Sequence, residues 1–325
     1  MLASRSAVLL GLAASQRLSL AQTFSLEPAF SVVDQVWRDV ARNREIPVRL
    51  RIPAPRTANE KLPVIVYSPG IGGTRESGER WSEHWATNGY VVVNVQHHGS
   101  DVVLGRAGGD PLDVVRRSAL ATTPSQLFQR VADLRFVLDE IPRHRELAAA
   151  AMNRVGIAGH AFGAFTVQAM AGQNVSRHGP ELADPRVRAV IALSPVVRNR
   201  VDAETQFGDV NVPFMSVTGT LDSETAGFRV QPDERVRPFY SMPAGGKYLV
   251  VFRHGDHAVF SGSAYSVGGP RPAEAVLAEP RIVRANQAIT LAFWDAYLKR
   301  NLSAEAWLAT QARGILAPDD RFERR

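Results

Sequence analysis

The side chains in this sequence whose types and order could do chemistry are Asp222 and His257, together with a turn built to display a nucleophile that it does not carry. Val155 to Ala164 reads Val-Gly-Ile-Ala-Gly-His-Ala-Phe-Gly-Ala: an apolar strand, a Gly-flanked turn, then a helix expected to begin near Phe165. In a Gly-x-Ser-x-Gly turn the glycines admit a strained backbone that lifts the serine above a sheet, beside the N–H groups of the next helix. Gly159 and Gly163 hold the outer places here, and Ala161 holds the centre. A methyl group cannot attack a carbonyl, so the chain as it stands forms no acyl-enzyme.

Acyl transfer also needs a base, an acid that orients it, and donors for the oxyanion. The order nucleophile, Asp, His is one that such sites use. Asp222 follows a strand at Val212–Val217 and the run Thr218-Gly219-Thr220-Leu221, which places a carboxylate just past a strand end; taken alone it could cap a turn, but after a buried strand and in this order the catalytic reading is preferred. Two histidines could serve as base after the strand Tyr248–Phe252. His254 lies nearer the strand, whereas His257 lies in a Gly-Asp-His loop able to swing over the turn, and His257 is preferred. The Gly-rich loop Ser68-Pro69-Gly70-Ile71-Gly72-Gly73-Thr74 follows the apolar strand Leu62–Tyr67. It lacks the Gly-Lys-Ser/Thr ending of a phosphate loop and the spacing of a dinucleotide fingerprint. After a strand in this position it can turn a main-chain N–H toward a developing oxyanion.

Gln96-His97-His98-Gly99-Ser100-Asp101 raises the question of a metal. Neighbouring residues on an extended strand end point to opposite sides, so His97 and His98 would not face one ion without a bulge. A wall of a substrate cleft with one His turned inward fits better, and His160 beside the nucleophile position reads the same way. Metal-dependent hydrolysis through His97, His98, Asp101 and His257 remains the rival scheme, but the His254/His257 pair has no obvious third ligand. No cofactor motif is present. Phe162, Phe260, Trp81 and Tyr265 could line an apolar pocket, although each residue type is also common in cores.

The elements that must position these groups follow from the apolar pattern. Val48–Ile52 reads as an edge strand, Leu62–Tyr67, Tyr90–Val95, Val155–Ala158, Val187–Leu193, Val212–Val217 and Tyr248–Phe252 as buried strands. Helices are expected over Glu79–Thr87, along the face Leu127, Val131, Leu134, Leu138 and Ile141, and over Ile282–Arg300. Val102–Thr123 has little periodicity and reads as a lid-like excursion after the fourth strand. Strands alternating with helices mean an α/β fold, a mostly parallel central sheet with helices on both faces, whose sites lie past the C-terminal strand ends.

At 325 residues and 45% hydrophobic content the chain can bury one large core, read as a single domain over 22–325. Lys and Arg are scattered among 32 acidic residues, so a formal charge of +6 marks a solvated surface, with no basic stripe for nucleic acid. The absence of cysteine removes disulfides and thiolate chemistry. A short basic start, an apolar run and Ser19-Leu20-Ala21 make residues 1–21 read as a signal peptide, implying a periplasmic or secreted protein; an N-terminal arm on a cytoplasmic protein is the alternative. No stretch approaches the ~20 apolar residues of a membrane span.

Several of these runs together resemble one family. Tyr67-Ser68-Pro69-Gly70-Ile71-Gly72-Gly73, His84-Trp85-Ala86-Thr87-Asn88-Gly89-Tyr90-Val91-Val92-Val93, Gln96-His97-His98-Gly99-Ser100-Asp101, Gly159-His160-Ala161-Phe162-Gly163-Ala164, Gly219-Thr220-Leu221-Asp222 and Gly255-Asp256-His257 are similar to the dienelactone-hydrolase-like and platelet-activating-factor-acetylhydrolase-like bacterial esterases of the α/β-hydrolase superfamily. The resemblance spans about Phe30 to Tyr297. It implies the α/β-hydrolase fold, with Ala161 at the nucleophile position, Asp222 as acid, His257 as base and the N–H groups of Ile71 and Phe162 as oxyanion donors. Gly70, His98, His160 and Phe260 would then border the ester, a small molecule or a fragment of a polymer. The chain departs from the family by Pro69-Gly70 where His-Gly is frequent, and by Ala161 where the family has Ser. Two readings follow: a serine carboxylesterase whose nucleophile has been replaced by Ala, or a natural pseudo-hydrolase that binds a ligand or partner without turnover.

Overall fold

The structure, a computed structural model, describes residues 29–57, 59–101, 121–175, 181–198, 202–224, 228–263 and 270–325. The expected leader over 1–21, most of the expected lid over 102–123, and Tyr265 lie outside the described residues. Nine strands form one sheet: β1 Phe30–Asp39, β2 Arg44–Pro53, β3 Leu62–Ser68, β4 Val91–Val95, β5 Ala150–His160, β6 Val187–Leu193, β7 Phe214–Leu221, β8 Lys247–Asp256 and β9 Arg321–Arg324. Their order is β1-β2-β4-β3-β5-β6-β7-β8-β9. Strands β3 to β8 are parallel, and β1, β2 and β9 join by antiparallel pairing at the two sides.

The parallel strands are buried on both faces, as their continuous Val/Ile/Leu runs require. The two-residue repeat divides them between two cores: Val64, Val66, Val91 and Val93 face one side with helix α2 (Pro124–Glu140) and helix α3 (Phe162–Met170). Ile65, Tyr67 and Val92 face the other, against helix α1 (Glu79–Thr87) and the long helix α4 (Ala273–Leu298), which supply Trp81, Trp85, Ile282, Phe293 and Trp294. Thr123 starts α2 by accepting the Gln126 N–H, with Pro124 at the first helical position.

Several boundaries differ from the sequence-based expectation. The strand expected at an edge, Val48–Ile52, is the middle of β2 and is covered by β1, whose Asp34, Arg38 and Asp39 mask its alternation. Helix α3 begins at Phe162, not near Phe165, because the chain leaves the turn directly into helix. Strand β8 continues to Asp256, so His257 is not in a flexible loop: it opens a four-residue helical turn capped by Asp256, which accepts the Val259 N–H.

The chain pairs β3 with β4 on one side and with β5 on the other. In such a sheet that reversal marks the usual place for a site, past the carboxyl ends of β3 and β5. The Gly-rich loop after β3 and the turn after β5 meet there.

Candidate active site

The turn after β5 is held by backbone contacts that only glycine permits. A Cβ on Gly159 would lie 2.3 Å from the Gly163 carbonyl oxygen, and one on Gly163 would lie 1.9 Å from that of Ser68. Between them Ala161 has φ 51° and ψ −111°, a region that disfavours any residue with a Cβ. The Ala161 N–H donates to the Leu193 carbonyl of β6 at 3.0 Å, and its own carbonyl accepts the Phe165 N–H of α3 at 3.0 Å. Such a turn costs on the order of 1–3 kcal/mol. Ala161→Gly is therefore expected to raise stability by roughly 1 kcal/mol after glycine's own entropic cost, seen as a rise of about 2 °C in Tm; an unchanged or lower Tm would show that the turn is not strained.

Gly70 abuts this turn: a Cβ there would come within 3.2 Å of His160 Nδ1 and 3.6 Å of the Ala161 Cβ. Ile71 is half-buried beside it. No acceptor among the described residues takes the N–H of Ile71 or that of Phe162, the first residue of α3.

Asp222 lies immediately past β7 and His257 immediately past β8, and their side chains meet: Nδ1 of His257 is 2.7 Å from Oδ1 of Asp222. Asp222 is fully buried, and its Oδ2 accepts the Thr218 hydroxyl at 2.8 Å. Burial opposes its charge, but the Arg235 guanidinium, the His257 bond and Thr218 outweigh burial and hold the carboxyl well below its usual range. Arg235, itself fully buried, gives Nε to the Asp222 carbonyl at 2.7 Å and stands 3.1 Å from Oδ1. The ring of His257 is about a quarter exposed, with its side chain at 27%. His160, one residue before Ala161, has its ring 4.5 Å from that of His257, and its Nε2–H donates to the His257 carbonyl at 3.1 Å. Burial, then the neighbouring His257, hold the His160 ring well below the usual histidine range, so it stays neutral. His254 is separate: its Nε2 takes a bond from Arg253 Nε at 2.8 Å.

Three expected site residues lie elsewhere. Phe260 is fully buried in the core against Phe252 and lends its carbonyl to the indole N–H of Trp81, because the helical turn after His257 directs it down onto the sheet. Trp81 is likewise core. His98 is exposed and lines a groove of about 550 Å³ with Arg38, Arg42, Arg44 and Gln129. The four residues of the metal scheme are not gathered on one point: His97 turns into the interior, His98 outward, and Asp101 accepts from Gln96 at 2.7 Å. No group of three or more His, Asp or Glu side chains among the described residues could hold a metal ion, and no helix among them is long and apolar enough to cross a membrane.

Sequence reasoning missed a polar chain beneath the Gly-rich loop. The Ser68 hydroxyl is 3.0 Å from Nε2 of His97, and Nδ1 of His97 is 2.9 Å from Oδ2 of Asp133 on α2. Arg44 grips Asp133 through Nε at 2.7 Å and Nη2 at 2.9 Å. These distances match an acyl-transfer triad, but Ser68, His97 and Asp133 are at most 1% exposed, so no ester reaches them. Their work is to fix the end of β3. Arg130 of the same helix donates to the Pro69 carbonyl and lies 4.3 Å over the Phe162 ring, tying the Gly-rich loop to α3. A visible signal existed: Arg130 and Asp133 interrupt the apolar face of α2.

Burial, then the Arg130 charge, push the His97 ring down to about 4 from an ordinary 6.5. Between those values the unfolded chain binds the proton and the folded chain does not, so stability rises with pH. His97 thus contributes stability that is complete above pH 6.5 and is lost as pH falls toward about 4, on the order of 3 kcal/mol. Asp133, held at about 2 against an ordinary 3.8 by its His97 and Arg44 bonds in spite of burial, continues the loss below that. Urea midpoints between pH 7 and 4 should fall steeply, and His97→Asn should flatten that slope while lowering the plateau by ~1–3 kcal/mol; an equal slope in both proteins would remove His97 as its source.

The strand order, the switch point and the turn after β5 are those of the α/β-hydrolase fold. Among solved structures, the chain is similar to the ferulic acid esterase from Streptomyces cinnamoneus, with a TM-score of 0.57 and 21% identity over 84% of this chain and 90% of that one. No family model matches the chain. No curated protein matches it.

Proposed function

We propose that this is a carboxylic-ester hydrolase site of the serine type, present here without its nucleophile. The observation that carries the reading is the Asp222–His257 pair, 2.7 Å apart, whose histidine is bonded through its main chain to the residue preceding Ala161 in a turn at φ 51°. A binding protein has no use for that pair or that strain. With a serine at 161, His257 would take its proton, Asp222 would hold the ring in the tautomer that accepts it, and the N–H groups of Ile71 and Phe162, which no described residue takes, would receive the oxyanion. Gly70 gives the ester main-chain access to those donors, and His160 walls the base. The substrate class is a carboxylic ester, free or released from a polymer, and the similar fold of a ferulic acid esterase agrees with ester chemistry. No cofactor enters this scheme. With Ala161 in place the site binds an ester and does not acylate.

Ala161 itself favours the second reading, a pseudo-hydrolase whose cleft only binds. An ester panel run on Ala161→Ser separates the two: turnover dependent on His257 supports the hydrolase, and a folded but inert variant supports the binding protein.

A further inference from the structure

A second carboxylate stands behind the Asp222–His257 pair, and the acyl-transfer scheme leaves it unused. Glu224, two residues past Asp222, is 7% exposed. Its Oε2 has no hydrogen-bond partner among the described residues. That oxygen lies 3.5 Å from Nη2 of Arg235. The guanidinium is otherwise fully committed: Nε goes to the Asp222 carbonyl, and Nη1 donates to the carbonyls of Ser194 and Pro195 at 2.9 Å each.

The same Nη2 stands 3.3 Å from Nδ1 of His257. That ring nitrogen carries the proton shared with Asp222, so it cannot also accept from Arg235, and the contact is electrostatic. While the ring is neutral, Asp222 and Arg235 cancel. Once the ring takes a proton, the buried cluster gains a net positive charge with two cations in contact, which low-dielectric surroundings penalise heavily. The other groups facing the ring do not relieve this. His160 from β5 is neutral and spends its N–H on the His257 carbonyl. Asp256, on the ring's own element, caps Val259 and pairs with Arg271.

We propose that Glu224, acting through Arg235, is the counter-charge of the protonated base, a positioning residue that lets His257 hold a proton beside a buried guanidinium. Ionised Glu224 returns the four-group cluster to neutrality when His257 is charged. Burial raises the Glu224 carboxyl above its usual range while the charges of His257 and Arg235 draw it down, so its ionisation responds to that of the ring. No bond forms or breaks at Glu224: the serine proton goes to His257 and from there to the leaving alcohol. The kinetic part of this inference rests on the hydrolase reading; the titration part does not.

The first measurement uses the chain with Ala161 in place and no ester: the His257 ring is titrated by NMR in the parent, in Glu224→Gln and in Glu224→Asp. Removing the carboxylate charge should lower the His257 midpoint by about one pH unit, and Glu224→Asp should restore most of it. In the parent alone, the Glu224 side-chain carbon and the His257 ring should report the same two-step curve, which keeps the test available should Glu224→Gln not fold. Independent single-step curves, or a midpoint unmoved by Glu224→Gln, would overturn the proposal whatever the protein hydrolyses. The second measurement adds Ala161→Ser: the acid limb of kcat/KM should move down by the same unit in Glu224→Gln, with kcat about tenfold lower. A residue that merely supports packing would depress activity at every pH and leave the limb in place, and that result would also overturn it. Inert Ala161→Ser protein with a shifted titration would sink the hydrolase reading and leave the counter-charge standing.

Discussion

Ala161→Ser should turn a nearly inert protein into an esterase, with kcat rising by at least ~10³-fold and up to the order of 10⁶-fold. The lower figure allows for imperfect seating of the hydroxyl. The upper one is the usual cost of removing a triad nucleophile while binding and oxyanion donors stay in place. On the hydrolase reading, one oxygen is what the site lacks. The backbone at 161 is at φ 51° without the serine, Asp222 and His257 are 2.7 Å apart, and Ala161 is 3% exposed at the head of α3. Adding a hydroxyl to the Cβ requires no backbone shift, so stability should change by less than about 1 kcal/mol. Short-chain, long-chain and aromatic esters, feruloyl esters among them, should be assayed against the Ala161 parent. Ala161→Ser with His257→Ala should return to the parent level, and with Asp222→Asn should lose most of the gain, up to the order of 10⁴. A well-folded Ala161→Ser protein that turns over none of the panel would end the hydrolase reading in favour of binding alone.

Among the described glycines, Gly163→Ala should be the most damaging added methyl. The added Cβ would meet the Ser68 carbonyl oxygen at 1.9 Å, the Ser68 carbonyl carbon at 2.6 Å and the Pro69 carbonyl oxygen at 2.8 Å. All three are main-chain atoms, so no rotamer change relieves the overlap; β3 and α3 must part. Ser68 is pinned from the other side by His97, and Pro69 by Arg130. We expect a loss of ~3–5 kcal/mol in urea unfolding, at the severe end of overpacking. In the Ala161→Ser background, activity should fall by at least ~100-fold in whatever fraction still folds, since the loop bearing Gly70 and Ile71 is the part that must move. Gly72→Ala is the control. That residue has φ 73° and nothing within 4 Å of its Cβ, so it should cost only about 1 kcal/mol of backbone strain. Equal losses at the two positions would show that the close approach of β3 to the turn is not what makes glycine necessary.

Much of the scaffold was legible because its determinants are local. Glu79–Thr87 and Val187–Leu193 have the same bounds in sequence and structure, one an amphipathic helix and the other a run too apolar to be anything but a buried strand. Strand β1 was not legible: Phe30–Asp39 is half solvated, and only pairing with β2 makes it a strand. The turn after β5 could be read from two glycines, since the need for them is backbone contact within a few residues. The groups around Asp222 and His257 could not. Thr218, Glu224 and Arg235 have no spacing signature, and Arg235 acquires its role only by folding back 13 residues onto the Asp222 carbonyl. His97 and Asp133 are 36 residues apart, and no local pattern pairs them. The sequence prefers His257 over His254, but because of a flexible loop that does not exist: β8 runs through His254, which sits at φ 62° with its ring turned to Arg253, and His257 begins the next turn.

The bond from His160 Nε2 to the His257 carbonyl joins the two halves of the site through main chain and a neutral ring rather than through the nucleophile's own hydroxyl. The gap between position 161 and the base is therefore kept whether or not anything there can react. On the proposed reading, an ester seated there would have no covalent step to consume it and would leave only by dissociation, so koff alone would set its residence time. Such a site would be a clock for non-covalent occupancy: any difference in dwell time between this chain and its Ala161→Ser form would measure the commitment to chemistry, separated from the grip of the binding surface.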